Sequence, residues 1–137
     1  MLKTTGVHHL AVVVRDLDAA LAFYGGLLGL EVTRRHEDAH GKPRAVWLAL
    51  TPGGGDSGPT FLALERTEAA AADAPLRGDV APGWHCVALA ITRAERDAWR
   101  ARLAAAGHPV VRETAYTLYV RDPEGALVAL SHWPDAA

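Results

Sequence analysis

The sequence predicts an α+β fold: two βαβββ modules in tandem, pairing into a cupped mixed sheet with the helices outside. Two observations carry this prediction. A histidine-led apolar run closed by a helix-capping residue occurs twice, as His9-Leu-Ala-Val-Val-Val-Arg-Asp16 and as His85-Cys-Val-Ala-Leu-Ala-Ile-Thr92. Each copy is followed by a helical pattern, a glycine and three strand-like runs. A module of this kind is apolar on both sheet faces and cannot cover both alone, so pairing two of them around a cavity is the natural solution.

In the first half, the run from His9 reads as a strand, and Asp16 is placed to cap a helix in which Leu17, Leu21, Tyr24 and Leu28 recur at helical spacing until Gly29 stops it. Gly25 and Gly26 fall inside that helix, where each costs roughly 1 kcal/mol relative to alanine. The sequence gives no reason for the pair. Strand-like runs follow at residues 30–34, 45–50 and 60–65, and the glycine-rich stretch 51–59 between the last two reads as a hairpin loop.

In the second half, Thr92 and Glu95 have capping-box spacing, Ala94, Ala98, Ala101 and Ala105 line one helical face, and Gly107 ends the helix. Strands are expected at 109–113, 117–121 and 126–132, the last two joined by the turn Asp122-Pro-Glu-Gly125. Module one therefore spans about residues 5–66, a linker rich in Ala, Pro and Gly covers about 67–83, and module two about 84–134. Either the two modules of one chain share the cavity, or two chains exchange modules in a homodimer.

Composition narrows the function. Half of the 137 residues are hydrophobic and 22% are charged, the balance of a soluble globular protein. A net charge of −2 leaves no excess of Lys and Arg for a phosphate backbone or an anionic lipid surface, so neither nucleic acid nor membrane is an expected partner. The start of the chain lacks the apolar run of a signal peptide, and no apolar stretch approaches the ~20 residues of a membrane span. The single cysteine, Cys86, cannot form an internal disulfide, which fits a reducing, cytoplasmic setting.

Strand alternation places His9, Ala11 and Val13 on one face, and His85, Val87 and Leu89 on the equivalent face of the second module. Two histidines that open equivalent strands near a pseudo-two-fold axis are expected to converge on one point, as a metal or small-molecule site. Imidazole needs no deprotonation cost to bind Zn, Fe, Mn or Ni. The alternative for each is a hydrogen-bonded, half-buried strand-end histidine. His8 is expected to point away, His36, His40 and His108 to lie in loops, and Cys86 to be a small core residue on the helix side. Trp47 and Phe61 suit a cavity wall or the core, and Trp84 and Trp133 flank strand ends. There is no Gly-x-Ser-x-Gly, no phosphate-binding glycine loop and no cysteine pair.

Taken together, His9-Leu-Ala-Val with Arg15-Asp16-Leu17, then Phe23-Tyr24, Leu28-Gly29-Leu30 and Tyr119-Val-Arg-Asp122-Pro-Glu-Gly125 resemble the vicinal oxygen chelate superfamily of glyoxalases, bleomycin resistance proteins and extradiol dioxygenases. The resemblance spans almost the whole chain. It implies metal ligands from the first and last strands of each module, His with Glu or Gln from the first and His with Glu from the second. His9 and His85 match the histidine positions, whereas Ala63 and Ala129 stand at the acidic ones, and methyl groups cannot coordinate a metal. Glu65, two residues beyond Ala63 on the same face, either reaches inward or stays a strand-end carboxylate near Arg66; His132 alternates to the other face. Tyr119 matches an active-site tyrosine of extradiol dioxygenases, with a phenol able to hydrogen-bond a ligand oxygen; the alternative is a ring that only packs.

Two functions follow. One is a metal-dependent lyase, isomerase or dioxygenase acting on a small oxygen-bearing molecule, with His9 and His85 holding a divalent metal ion (Fe, Zn, Mn or Ni) as Lewis acid and with Tyr119 and Glu65 catalytic. The other is a metal-free binding protein, similar to bleomycin resistance proteins, that sequesters an apolar or aromatic compound. Ala63 and Ala129 favour the second, and the two histidines favour the first.

Overall fold

The run from His9 forms strand β1 (His9–Val14), and Asp16 then caps helix α1 (Leu17–Leu21), its Oδ1 accepting a hydrogen bond from the Ala19 amide at 2.9 Å. The structure is a computed structural model that describes residues 2–3, 6–51, 60–68 and 85–135. Trp84, nearly all of the expected 51–59 loop and most of the expected linker lie outside the described residues. The chain divides into two units, Met1–Ala70 and Ala71–Ala137.

In unit one, α1 widens into a π-helical segment, Ala22–Leu27, where the Leu28 amide reaches back five residues to the Phe23 carbonyl at 2.9 Å. Gly29, at φ 78°, ends it as expected. The glycine pair sits inside the widened segment, and one member has a steric reason. A Cβ on Gly25 would lie 3.3 Å from Leu21 Cδ1 and 3.4 Å from Leu48 Cδ2, because the helix rests closely on the sheet there. A Cβ on Gly26 would meet nothing within 4 Å.

Strands β2 (Val32–Glu37), β3 (Pro43–Ala49) and β4 (Phe61–Arg66) complete a sheet of order β1-β4-β3-β2, with β1 and β4 parallel and the other pairs antiparallel. One face carries Val14, Val46, Leu48, Leu62 and Leu64, all buried with Phe23 and Tyr24. Among the described residues of unit one, no helix covers the other face. β2 runs further than the expected 30–34 and takes His36 out of a loop into a strand. The cause is two register shifts, between Val32 and Arg34 and between His36 and Glu37, which destroy the period-two pattern a strand would show in sequence.

Unit two repeats the order: β5 (Val87–Ala90), a 3-10 turn (Arg93–Glu95) leading into α2 (Arg96–Ala105), then β6 (Arg112–Glu113), β7 (Thr117–Arg121) and β8 (Leu127–Ser131). Its sheet order, β5-β8-β7-β6, matches unit one strand for strand. Both units are thus βαβββ. The turn before β8 is built by Asp122, 4% exposed, whose Oδ1 accepts from the amides of Glu124 at 2.9 Å and Ala126 at 2.8 Å, with Gly125 at φ 87°. No helix among the described residues is long and apolar enough to cross a membrane.

Two details of α2 differ from expectation. Thr92 Oγ1 bonds the Glu95 carboxylate at 2.8 Å instead of a backbone amide, so the side-chain cap is not made. The four alanines are exposed, and the inward stripe is Arg96, Trp99, Arg100 and Leu103, spaced three and four apart. Alanine methyls bury little area, whereas Leu103 is fully buried and Arg96, Trp99 and Arg100 are half-buried.

The two sheets are also one residue out of phase relative to the repeat read from sequence. In unit one Ala11 pairs with Ala63 and Ala63 with Trp47; in unit two the matching set is Ala88, Ala129 and Tyr119. Val87 and Leu89 pair with the buried Val128 and Leu130 and lie on the helix side. The expected grouping of His85, Val87 and Leu89 with His9, Ala11 and Val13 is therefore corrected. β5 begins at Val87, so alternation does not extend back to His85.

Candidate functional site

On the helix-free face of unit one, rings form a continuous row across the sheet. His9, exposed at the start of β1, stacks on Phe61 of β4 with centroids 4.9 Å apart and planes 4° apart, as their paired positions dictate. Phe61 stacks on Trp47 of β3 at 4.3 Å and 19°. Beyond Trp47 lie His36, 4.6 Å away, and the Arg34 guanidinium, 5.5 Å from the indole centroid. Stacked pairs of this kind add about 0.5–1.5 kcal/mol each beyond burial. Ala63, 2% exposed, lies beside it in register with Trp47.

Glu65 is on the same face, two residues beyond Ala63, and its side chain is 36% exposed. Its partner is Arg44, at 3.6 Å, and not Arg66, which binds Asp38 and Glu68. An exposed pair contributes at most about 1 kcal/mol, so Glu65 is only lightly held. His8 was expected to point away, yet its Nδ1 lies 2.9 Å from Nδ1 of His9. It precedes the first strand residue, so alternation does not govern it.

On the helix-free face of unit two, Tyr119 pairs with Ala129 on one side and Arg112 on the other. The Arg112 guanidinium lies 4.2 Å from the Tyr119 centroid, and its Nη2 is 3.3 Å from Nε2 of His85. His85 is exposed, with its ring 6.2 Å from that of Tyr119. Cys86, expected in the core, is half-buried; burial pushes its thiol pKa up while the nearby Arg112 charge pulls it down. Arg112 is the residue that sequence reasoning missed. Its signal was the short turn at 114–117, closed by the Thr114 amide on the Thr117 carbonyl, which forces Arg112 opposite Tyr119.

Two of the remaining histidines have structural partners. His132, 5% exposed, has Nδ1 2.7 Å from the Asp135 carbonyl, so Nδ1 carries the proton and Nε2 accepts from Arg96 at 2.9 Å. His108 Nδ1 faces the Arg121 carbonyl at 3.0 Å, and His40 lies in the β2–β3 turn.

The family model of the glyoxalase/bleomycin resistance protein/dioxygenase superfamily matches residues 6–130. The chain belongs to this superfamily. Solved structures of similar fold include a glyoxalase/dioxygenase from Nostoc punctiforme, 22% identical with TM-score 0.73, covering 96% of this chain and 92% of that one. The fosfomycin resistance protein FosX from Listeria monocytogenes, in a mutant form complexed with Mn(II) and 1S,2S-dihydroxypropylphosphonic acid, is 17% identical with TM-score 0.69, covering 95% and 93%. Lactoylglutathione lyase from Agrobacterium tumefaciens is 26% identical with TM-score 0.64, covering 96% of each chain. No curated protein matches.

Within either unit, the described side chains do not by themselves make up a complete metal centre. Neither unit, among its described residues, gathers three or more His, Cys, Asp or Glu side chains that could hold a metal ion. Ala63 and Ala129 are buried at 2% and 1% exposure, and their methyls offer no ligand to a metal.

Proposed function

We propose that this chain is a small-molecule-binding member of the superfamily that takes an oxygen-bearing ligand against its helix-free faces and holds it with side chains, not with a metal. The observation that carries this reading is the pair Ala63 and Ala129, each buried and each in register with an aromatic ring, Trp47 and Tyr119 respectively. The ring beside each methyl offers the apolar surface. Donors and acceptors at its margin supply orientation, as in ligand sites generally. Tyr119 in unit two and Glu65 in unit one are each assigned to a ligand oxygen on their own unit's face, the phenol as donor and the carboxylate as acceptor, with His85 near Tyr119 and His9 at the β1 end of the ring row. The proposal includes a homodimer and a cytoplasmic setting.

A second reading is a metal-dependent enzyme with Fe, Zn, Mn or Ni drawing on His9 and His85. What favours it is that both imidazoles are exposed, and that the FosX structure carries Mn(II). The experiment that separates the two is ligand-observed NMR of small oxygen-bearing compounds with protein purified without a metal-affinity tag, before and after chelation. Retained binding after chelation, with far less than one metal per chain, is expected. Binding that vanishes with chelation and returns with metal would replace the first reading by the second.

A further inference from the structure

Two imidazoles meet nitrogen to nitrogen at the start of β1. Nδ1 of His8 lies 2.9 Å from Nδ1 of His9, and the ring centroids are 5.2 Å apart. The second distance exceeds the first by the two ring radii, so the lone-pair directions of the two nitrogens face each other along one line. In a neutral pair one Nδ1–H therefore donates and the other Nδ1 accepts. Phe61 holds both rings: His9 stacks on it at 4.9 Å and 4°, and His8 stands edge-on to it at 5.8 Å and 74°. One residue earlier the Val7 carbonyl accepts from Thr60 Oγ1 at 3.0 Å, which ties the approach to β1 to the approach to β4. Both histidines are nevertheless exposed, and neither Nε2 has a hydrogen-bond partner among the described residues.

We propose that His8 is a positioning residue for His9: it engages Nδ1, leaves Nε2 as the nitrogen offered to a ligand oxygen, and couples the role of that Nε2 to its own tautomer. Where His8 donates, His9 carries its proton on Nε2 and donates to a ligand carbonyl. Where His9 donates, its Nε2 is bare and accepts from a ligand hydroxyl. Between these states one proton crosses the Nδ1 pair, Nε2 of His9 loses one to solvent and Nε2 of His8 gains one, so net charge is unchanged. A lone exposed imidazole can switch tautomer too, but without a bond that orients its ring; His8 keeps Nδ1 bonded in both states. The site thus takes neutral carbonyl and hydroxyl compounds alike. The inference rests on the metal-independent reading, because a metal ion on Nε2 would fix His9 in the Nδ1–H tautomer.

The test is NMR of the ring nitrogens in the isotope-labelled, chelator-treated full chain at about pH 8.5, well above the ordinary imidazole value of about 6.5. The probes are acetophenone, which only accepts, and phenol, which donates. Without a probe, the Nδ1 protonation of the two rings should sum to one proton. Acetophenone should then raise it on His8 and phenol on His9, the two residues always shifting in opposite directions. In His8→Ala the probes should bind about threefold to tenfold more weakly, the loss of one ordinary hydrogen bond. His8→Asn, whose amide supplies either a donor or an acceptor, should restore most of that loss. A merely structural His8 would lower stability without coupling the tautomers. Nδ1 protonation that varies independently in His8 and His9, or probe shifts at Trp47 and Phe61 that leave the His9 ring unmoved, overturns the inference and leaves the binding reading intact. Equal probe binding in folded His8→Ala overturns it as well, and binding that returns only with added metal removes both.

Discussion

Ala129 pairs with Tyr119 across β7 and β8, just as Ala63 pairs with Trp47 across β3 and β4. The chain repeats this methyl-beside-ring arrangement in both units, at the two positions where metal-dependent relatives are expected to carry acids.

That relationship makes the alanines decisive. Ala63→Glu with Ala129→Glu places two carboxylates at sites now 2% and 1% exposed, where an uncompensated charge costs roughly 3–5 kcal/mol. A fall in urea midpoint that added Zn or Mn does not restore is expected. Recovery by metal, with affinity above wild type in calorimetry, would support the metal-dependent reading instead.

The glycine pair separates steric need from propensity. Gly26→Ala should stabilise the protein by up to about 1 kcal/mol, since its Cβ meets nothing and alanine is the better helix residue. Gly25→Val should destabilise it, because the added branches press on Leu21 and Leu48, already within 3.3 and 3.4 Å of a Cβ. Chemical denaturation of both variants checks the order.

His132 should behave as a structural residue. Replacing it by alanine removes the acceptor for Arg96 and the donor to the Asp135 carbonyl, each bonded inside the unit. A loss of about 1–3 kcal/mol in stability is expected, with ligand binding unchanged wherever the variant is folded. Weakened binding in the folded variant would make it part of the site.

What could be read from sequence was local. Asp16 as cap, Gly29 and Gly107 as stops and the Asp122 turn each depend on a few neighbouring residues, and the chemistry of those residues dictates the backbone. What could not be read depends on phase between strands. A one-residue slip turns every side chain to the other face, so aligning the repeat on His9 and His85 misassigned Val87 and Leu89. The bulges of β2 hid His36 for the same reason. The alanines of α2 look like a buried face by hydropathy, although packing is decided by size, and Trp99 and Leu103 prevail. Arg112 became a site candidate only through its cross-strand pairing with Tyr119.

The β2–β3 turn should open in acid before the rest of unit one. Asp38 Oδ1 accepts from the amides of Lys42 at 3.0 Å and His40 at 2.8 Å, and those backbone bonds, helped by the Arg66 and Lys42 charges, hold its carboxyl below the usual aspartate range. Because the folded carboxyl is the stronger acid, its contribution is present above the unfolded value of about 3.9 and is lost as pH falls through the lower folded value. Amide hydrogen exchange of His40 and Lys42, corrected for the intrinsic pH dependence, should therefore accelerate below about pH 4. In Asp38→Asn the acceptor is neutral throughout, so the same amides should exchange faster at neutral pH and show no acid step. An acid step of equal size in wild type and Asp38→Asn would assign the opening to another carboxyl.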